Sequence, residues 1–345
     1  MSPAMYTIIM SSLATGTIIT MSSYHWLMAW IGLEINTLAI IPIISMQHHP
    51  RSTEAATKYF LIQAAASAMI LFASTTNAWY TGTWNITQMS TTPSHIMLTL
   101  ALSMKLGLAP MHFWLPEILQ GSTLSTALII TTWQKLAPMS LLLMTMNNLS
   151  PLILLMLGVA SSMMGGWGGL NQTQMRKIMA FSSIAHLGWM MMVASIMTNI
   201  MILNLMIYLI MTSNLFMSLI MLKTKTIQDS STSWSTSPML TIIIMLTLLS
   251  LEGLPPLTGF MPKWLILVEL KAQNLTMLAT MMALASLLSL FFYLRLSYTT
   301  TLTLSPNTTQ TKHKWRFKPS TTTLVLTILT PMTMFLLPLT PLMLL

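Results

Sequence analysis

Long apolar runs joined by short polar links make up nearly the whole chain. About eleven of these runs are long enough to cross a bilayer, which takes roughly 20 residues of helix. Their approximate limits are 3–21, 24–45, 57–80, 95–119, 122–147, 151–172, 174–196, 199–222, 238–271, 274–300 and 322–343. Two links are longer and polar, KTKTIQDSSTSWSTS at 223–237 and TLTLSPNTTQTKHKWRFKPS at 301–320, and neither has the length of a separate domain. The pattern predicts an all-α polytopic membrane protein with residues 1–345 as a single membrane domain.

Two of the runs are not clean helices. The fourth contains LAPMHFWLPE, with Pro110 and Pro116, and the ninth contains EGLPPLTGFMPKW, with Pro255, Pro256 and Pro262. Proline removes a backbone donor and clashes with the preceding turn. Unpaired backbone at membrane depth is tolerated only inside protein or beside a water-filled cavity. The breaks fall in fourth place within helices one to five and again within helices six to ten. Consecutive units of five helices insert with opposite topology. The pattern therefore predicts two inverted five-helix repeats, 1–147 and 151–300, with a broken helix in each and a final helix at 322–343. An ion path at the repeat interface goes with that architecture; two unrelated proline kinks are the plainer alternative.

Composition narrows the class. The chain is 54% hydrophobic and 6% charged, with a mean hydropathy of +0.71, where a soluble domain carries about 25% charged residues. The formal charge of +9 is not a nucleic-acid signal, because the 15 basic residues form no single patch interleaved with aromatics. Most lie in links after even-numbered helices: Arg51, Arg176 with Lys177, Lys223 with Lys225, and Lys312, Lys314, Arg316 and Lys318. Basic residues mark the inner side of a membrane, so the N-terminus is expected inside and the C-terminus across the bilayer. The first residues, MSPAMYTIIMSSLATG, have neither the basic start of a signal peptide nor the Arg-rich amphipathic character of a presequence. The 37 methionines, with abundant Leu, Ile and Thr, resemble a product of mitochondrial translation. With no cysteine, the chain has no disulfide, iron–sulfur ligation or thioether haem. The seven histidines show no metal-ligand spacing on one helix, so no metal is expected.

Four charges sit too deep in the runs to reach headgroups with ease: Glu34, Lys105, Lys135 and Lys263. At ~1.5 Å of rise per residue, Lys135 is about 20 Å from either end of its run. A charge in hydrocarbon costs about 2.5 to 3.5 kcal/mol on insertion scales, so each must face the bundle interior. One such group is as readily a structural ion pair as a functional one. Four of them, two on broken helices or next to one, favour proton handling. A buried lysine is balanced between desolvation and the attraction of a carboxylate, so it loads and releases a proton as arginine does not. Glu54 has a plainer reading as a local partner of Lys58 in a first helical turn. Glu117 ends the first broken run at an interface or stands at a channel mouth. Arg295 is expected to snorkel. His112 and His186 suit proton relay but serve equally as packing residues. GGWGGL at 165–170 lacks dinucleotide-site spacing and fits close helix contact.

Several stretches carry a resemblance: HPRSTEAATKYF (49–60), MKLGLAPMHFWLPE (104–117), TWQKLAP (132–138), GGLNQTQMRKIMAFSSIAHLGW (168–189) and GLPPLTGFMPKW (253–264). Through them the chain resembles, end to end, the subunit 2 family of NADH dehydrogenase in mitochondrial respiratory complex I, in the shortened animal form. These antiporter-like membrane subunits are related to multi-subunit cation/proton antiporters. The resemblance implies two inverted repeats and assigns Glu34 as the carboxylate paired with Lys105, Lys135 as the central lysine, and Lys263 as the lysine near the exit. It implies no cofactor in this chain, with NADH, FMN, iron–sulfur clusters and ubiquinone in partner subunits. It implies a subunit of proton-translocating NADH:ubiquinone reductase in the mitochondrial inner membrane, N-terminus in the matrix and C-terminus in the intermembrane space. Its partners would be other membrane and peripheral subunits of complex I, the lipid bilayer and transported protons. Glu252 departs from the pattern, standing before Gly253 where the family leads one to expect a small residue. It is either an extra titratable group or a local substitution. A stand-alone cation/proton antiporter and a non-transporting scaffold subunit remain as alternatives.

Overall fold

The computed structural model describes residues 2–235, 237–302 and 323–341. Among them there is no strand; the only β pairing is two isolated bridges, His25 with Asn85 and Gln174 with Thr226. The chain forms two compact units, residues 1–161 with 191–198, and residues 162–190 with 199–345.

The first unit holds α1 (Pro3–Ser22), α2 (Trp26–Ser45), α3 (Pro50–Thr81), α4 (Thr92–Leu106), α5 (Trp114–Gly121), α6 (Leu124–Thr131), α7 (Trp133–Thr145) and the start of α8 (Pro151–Gly169). Here α1 packs on α2, α2 on α3, and α3 on both α4 and α5, while α7 reaches α1, α2 and α4. Local chemistry sets the helix starts. Ser2 accepts the Met5 N–H ahead of Pro3. His49 and Ser52 cap α3 reciprocally ahead of Pro50, where proline's missing N–H costs nothing. That cap starts α3 seven residues before the apolar run that begins at residue 57.

The second unit holds the rest of α8, most of α9 (Met175–Ala194), then α10 (Thr198–Leu222), α11 (Ile227–Thr232), α12 (Pro238–Glu252), α13 (Phe260–Ala272), α14 (Thr276–Leu302) and α15 (Leu324–Phe335). α14 packs against α11, α12 and α13, and α15 against α12. Thr258 and Asn214 pin α15 by hydrogen bonds to the carbonyl and hydroxyl of Thr333. α11 is a short helix inside the polar link 223–237, capped by Thr226 and Asp229. Partial burial pushes the Asp229 carboxyl up, but N–H donors of Thr226 and Lys225 outweigh this and hold it below the usual carboxylate range.

Among the described residues, eight helical segments are long and apolar enough to cross a membrane, with α6 and α7 together forming one of them. The two split runs, α4–α5 and α12–α13, and the 12-residue α15 fall short of that length among the described residues. α1 and α14 expose Ile8, Ile18, Leu284, Leu287 and Phe291, a surface that suits lipid and not water. The chain is an integral membrane protein. The last basic link, with Lys312, Lys314, Arg316 and Lys318, lies outside the described residues.

Both expected interruptions are present, but proline does not start them. α4 stops at Gly107, three residues before Pro110, and α12 at Gly253, two before Pro255. Both glycines are left-handed, with φ of 77° and 88°. Their N–H groups close the last turn on carbonyls of Ser103 and Met104, and of Leu249 and Ser250. A left-handed glycine ends a helix in this way at no steric cost. Pro116 and Pro262 break nothing: each is third in its helix, where the N–H has no intrahelical partner. The run at 122–147 is also less regular than its apolarity predicts. It turns at Thr132, between α6 and α7, where Thr131 and Thr132 donate their hydroxyls to the carbonyls of Ala127 and Leu128. Such back-bonding bends helices.

Candidate functional site

In the first unit, Lys105 is the penultimate residue of α4, and Lys135 lies in the first turn of α7. They are 5% and 3% exposed. Lys135 crosses to the broken helix and donates its ammonium to the carbonyl of Leu106, just ahead of the left-handed Gly107. That carbonyl belongs to the negative end of α4, where a cation is favoured. Both lysines line one small cavity with Asn36, Tyr59, Gln63 and Gln134. The amides form a short chain: Gln134 Nε2 donates to Asn36 Oδ1 at 2.7 Å, and Tyr59 OH to Gln134 Oε1 at 3.3 Å.

Lys105 Nζ is buried without a hydrogen-bond partner. The direct Glu34–Lys105 pair that the resemblance implied is absent as a contact. Glu34 is half-buried, accepts the Thr37 hydroxyl at 3.2 Å, and acts on Lys105 by charge across a gap. The ion pairs among the described residues instead centre on Lys58, 2.6 Å from Glu54 and 2.7 Å from Glu117. The local Glu54–Lys58 pair is as expected. Glu117 is held by the same ammonium, which ties α5 to α3. His112 lies in the segment between α4 and α5, 2% exposed, its Nδ1 3.2 Å from the Pro110 carbonyl.

The second unit repeats one element of this chemistry with a different lysine. Lys263 is fourth in α13, after the break, and its Nζ donates to the Glu252 carbonyl at 2.5 Å. Glu252 immediately precedes the left-handed Gly253. Lys263 also lies over the Trp189 ring, 5.9 Å from its centroid, a cation–π distance. His186, half-buried and 5.6 Å from the Tyr208 ring, lines the same small cavity as Lys263 and Asn204.

The Arg295 guanidinium donates to the carbonyls of Leu170 and Gln172, in the link that follows α8. Gly165 makes the close approach read from GGWGGL, since a Cβ there would stand 2.6 Å from the Ala185 nitrogen. Among the described residues, no three His, Asp or Glu side chains gather as metal ligands. Sequence reasoning missed the neutral polar lining, Asn36, Tyr59, Gln63, Gln134 and Asn204. The available signal was an amide inside an apolar run, beside a charge in the case of Gln134. It also missed the two backbone carbonyls, which no side-chain pattern announces.

Comparisons with known proteins agree on this architecture. The family described as "NADH:quinone oxidoreductase/Mrp antiporter, TM" matches residues 23–289, and "NADH dehydrogenase subunit 2 C-terminus" matches residues 290–344. The chain is 57% identical over 341 residues to NADH-ubiquinone oxidoreductase chain 2 of Carassius auratus, covering 99% of this chain and 98% of that protein. It is 56% identical over 343 residues to the protein of the same name from Latimeria chalumnae, covering 99% of each. Among solved structures it is similar to a chain of respiratory complex I from Thermus thermophilus, with a TM-score of 0.88 and 25% identity, over 99% of this chain and 79% of that one. With two broken helices, lysines at their open carbonyls and family matches that run from residue 23 to residue 344, the chain belongs to the NADH:quinone oxidoreductase/Mrp antiporter membrane-subunit family, in its NADH dehydrogenase subunit 2 branch.

Proposed function

We propose that the chain is the subunit 2 membrane component of a mitochondrial NADH:ubiquinone oxidoreductase, and that it forms a proton-translocating module driven by quinone reduction in neighbouring subunits. One observation carries the reading. At each helix break a lysine ammonium rests on the carbonyl that precedes a left-handed glycine. A neutral acceptor holds the ammonium in place without neutralising it, so the proton stays transferable. A carboxylate ion pair would hold it far more firmly.

The proton path runs through Glu34, Lys105, Lys135 and Lys263, with His112, His186, Glu117 and Glu252 as lesser contributors. Lys105 has no hydrogen-bond partner, so its charge needs water, Glu34 at a distance, or release of its proton. The polar cavity beside it suits a bridging water. A change at Glu34 then alters the charge balance on Lys105 and moves a proton toward Lys135. NADH, FMN, iron–sulfur clusters and ubiquinone belong to partner subunits in this reading. Eleven spans, as two inverted repeats over 1–147 and 151–300 with a last helix at 322–343, place the N-terminus in the matrix and the C-terminus in the intermembrane space. The matching form of the two breaks supports the repeat.

The test is proton pumping per NADH oxidised in vesicles reconstituted with assembled complex. Lys105→Met is expected to assemble and lose translocation and coupled turnover. Lys105→Arg is expected to fail as well, because guanidinium does not release its proton. Normal pumping by Lys105→Met would return Lys105 to a structural role. Recovery of the chain alone from mild detergent, exchanging sodium for protons without flavin or iron–sulfur subunits, would favour a stand-alone antiporter.

A further inference from the structure

The second break carries a carboxyl with no counterpart at the first, where Leu106 occupies the position before the left-handed glycine. Glu252 is the last residue of α12 and is 6% exposed. Neither of its side-chain oxygens has a hydrogen-bond partner. Its own backbone carbonyl, by contrast, accepts the Lys263 ammonium at 2.5 Å. The Lys263 stem lies over the next residue, since a Cβ on Gly253 would stand 3.1 Å from Lys263 Cδ. Carboxyl and ammonium therefore belong to one turn of the chain, joined through the main chain and without an ion pair between them.

The other titratable groups nearby come from two further helices. Tyr293 of α14 is buried within electrostatic reach of Glu252, and His186 of α9 lies within reach of Lys263. Neither brings a permanent cation, so Lys263 is the charge that answers Glu252. An ionised carboxylate that is buried with no protein donor on either oxygen is costly. Either a proton on the carboxyl or a closer ammonium removes that cost. The lysine, held on the main chain and not on the carboxyl, leaves the first route open.

We propose that Glu252 binds an exchangeable proton and shares it with Lys263, making the second break a carboxyl–amine relay. In the sharing step one proton leaves the Lys263 ammonium and joins the Glu252 carboxylate, giving a neutral amine and a neutral carboxyl. The reverse restores both charges, and no other bond changes. A proton delivered by water on the open side of the break then joins the neutral Lys263 amine, restoring the ammonium while the carboxyl keeps its proton. The part played in translocation rests on the proton-module reading above; the shared proton does not.

Dicyclohexylcarbodiimide, which modifies protonated carboxyls in apolar surroundings, reads the proton directly. Intact complex in native membranes is treated across a pH series, and the peptide bearing residue 252 is quantified by mass spectrometry. Modification of Glu252 is expected to fall along a titration curve as pH rises. In Lys263→Met, with no cation to favour the carboxylate, the midpoint is expected to shift to higher pH. In Lys263→Arg, with a cation that keeps its proton, it is expected to shift to lower pH. Midpoints that coincide in all three forms would overturn the proposal. The pH profile of coupled turnover gives a second reading that needs no reagent access: Glu252→Gln is expected to shift it, and an unchanged profile would also overturn the proposal. A normal pumping ratio in Lys105→Met would defeat the module reading and leave these two measurements standing on their own.

Discussion

Lys135 reaches across 29 residues of sequence to donate its ammonium to the carbonyl of Leu106, the last residue of α4. The bond joins the start of α7 to the end of a broken helix. Lys263 makes the corresponding bond to Glu252 over 11 residues, from the far side of its own break. The same carbonyl position is thus served from a different helix in each unit.

Removing the first of these donors leaves the Leu106 carbonyl buried and unpaired. An unsatisfied buried acceptor costs about 1–3 kcal/mol. Lys135→Met is expected to lower the temperature of thermal inactivation of the assembled complex and to speed hydrogen exchange over residues 106–113. Lys135→Arg, which keeps a donor, is expected to recover the exchange protection and not the pumping. Equal exchange in wild type and Lys135→Met would remove the carbonyl bond from the account.

Gly107 tests the break itself. Its φ of 77° costs a residue with a Cβ about 1–2 kcal/mol, and a Cβ there would meet Leu115 and Trp114 at 3.2 Å. Gly107→Ala is expected to reduce assembly or heat stability by about that amount. Gly107→Asn, which tolerates the left-handed region better, is expected to lie between. Thermal inactivation of purified complex is the measurement, and an alanine variant as stable as wild type would count against the capping role.

Lys58 provides the contrast with the buried lysines. Its side chain is 40% exposed and its two carboxylate partners more so, and exposed pairs contribute little. Lys58→Met is expected to leave pumping intact and to change heat stability much less than Lys135→Met. Loss of pumping in Lys58→Met would move Lys58 and Glu54 into the proton path beside Glu117.

Asp229 makes a pH-dependent cap. Its carboxyl is held below the usual range by backbone donors, so the stabilisation is present above the ordinary aspartate value of about 3.9. It is lost as pH falls through the lower folded value. Hydrogen-exchange protection over residues 225–232 is expected to fall in that acid window and to be weak at every pH in Asp229→Ala. Protection that stays constant through the window would exclude the cap.

Sidedness is open to a direct test. The basic residues of 301–320 predict that this link faces the matrix. A protease added to intact mitoplasts should leave it uncut, and cleavage there from the intermembrane side would reverse the proposed orientation.

The amino-acid sequence alone determined the class, the apolar runs and the places where they fail. These depend on quantities summed locally: apolar length, the price of a charge in hydrocarbon, and the backbone limits of glycine and proline. Hence the deep positions of Lys105, Lys135 and Lys263 were legible, as were both broken runs and the family. Only the tertiary structure decided what those groups touch. It stopped α4 and α12 at Gly107 and Gly253 instead of at the prolines. It set Glu34 apart from Lys105, gave Glu117 to Lys58, and turned Arg295 onto the carbonyls of Leu170 and Gln172. The physical reason is geometric. A side chain finds its partner through the way helices pack and turn in three dimensions, and a difference of one helical turn exchanges one acceptor for another. The pattern of residues along a single helix carries no record of that choice.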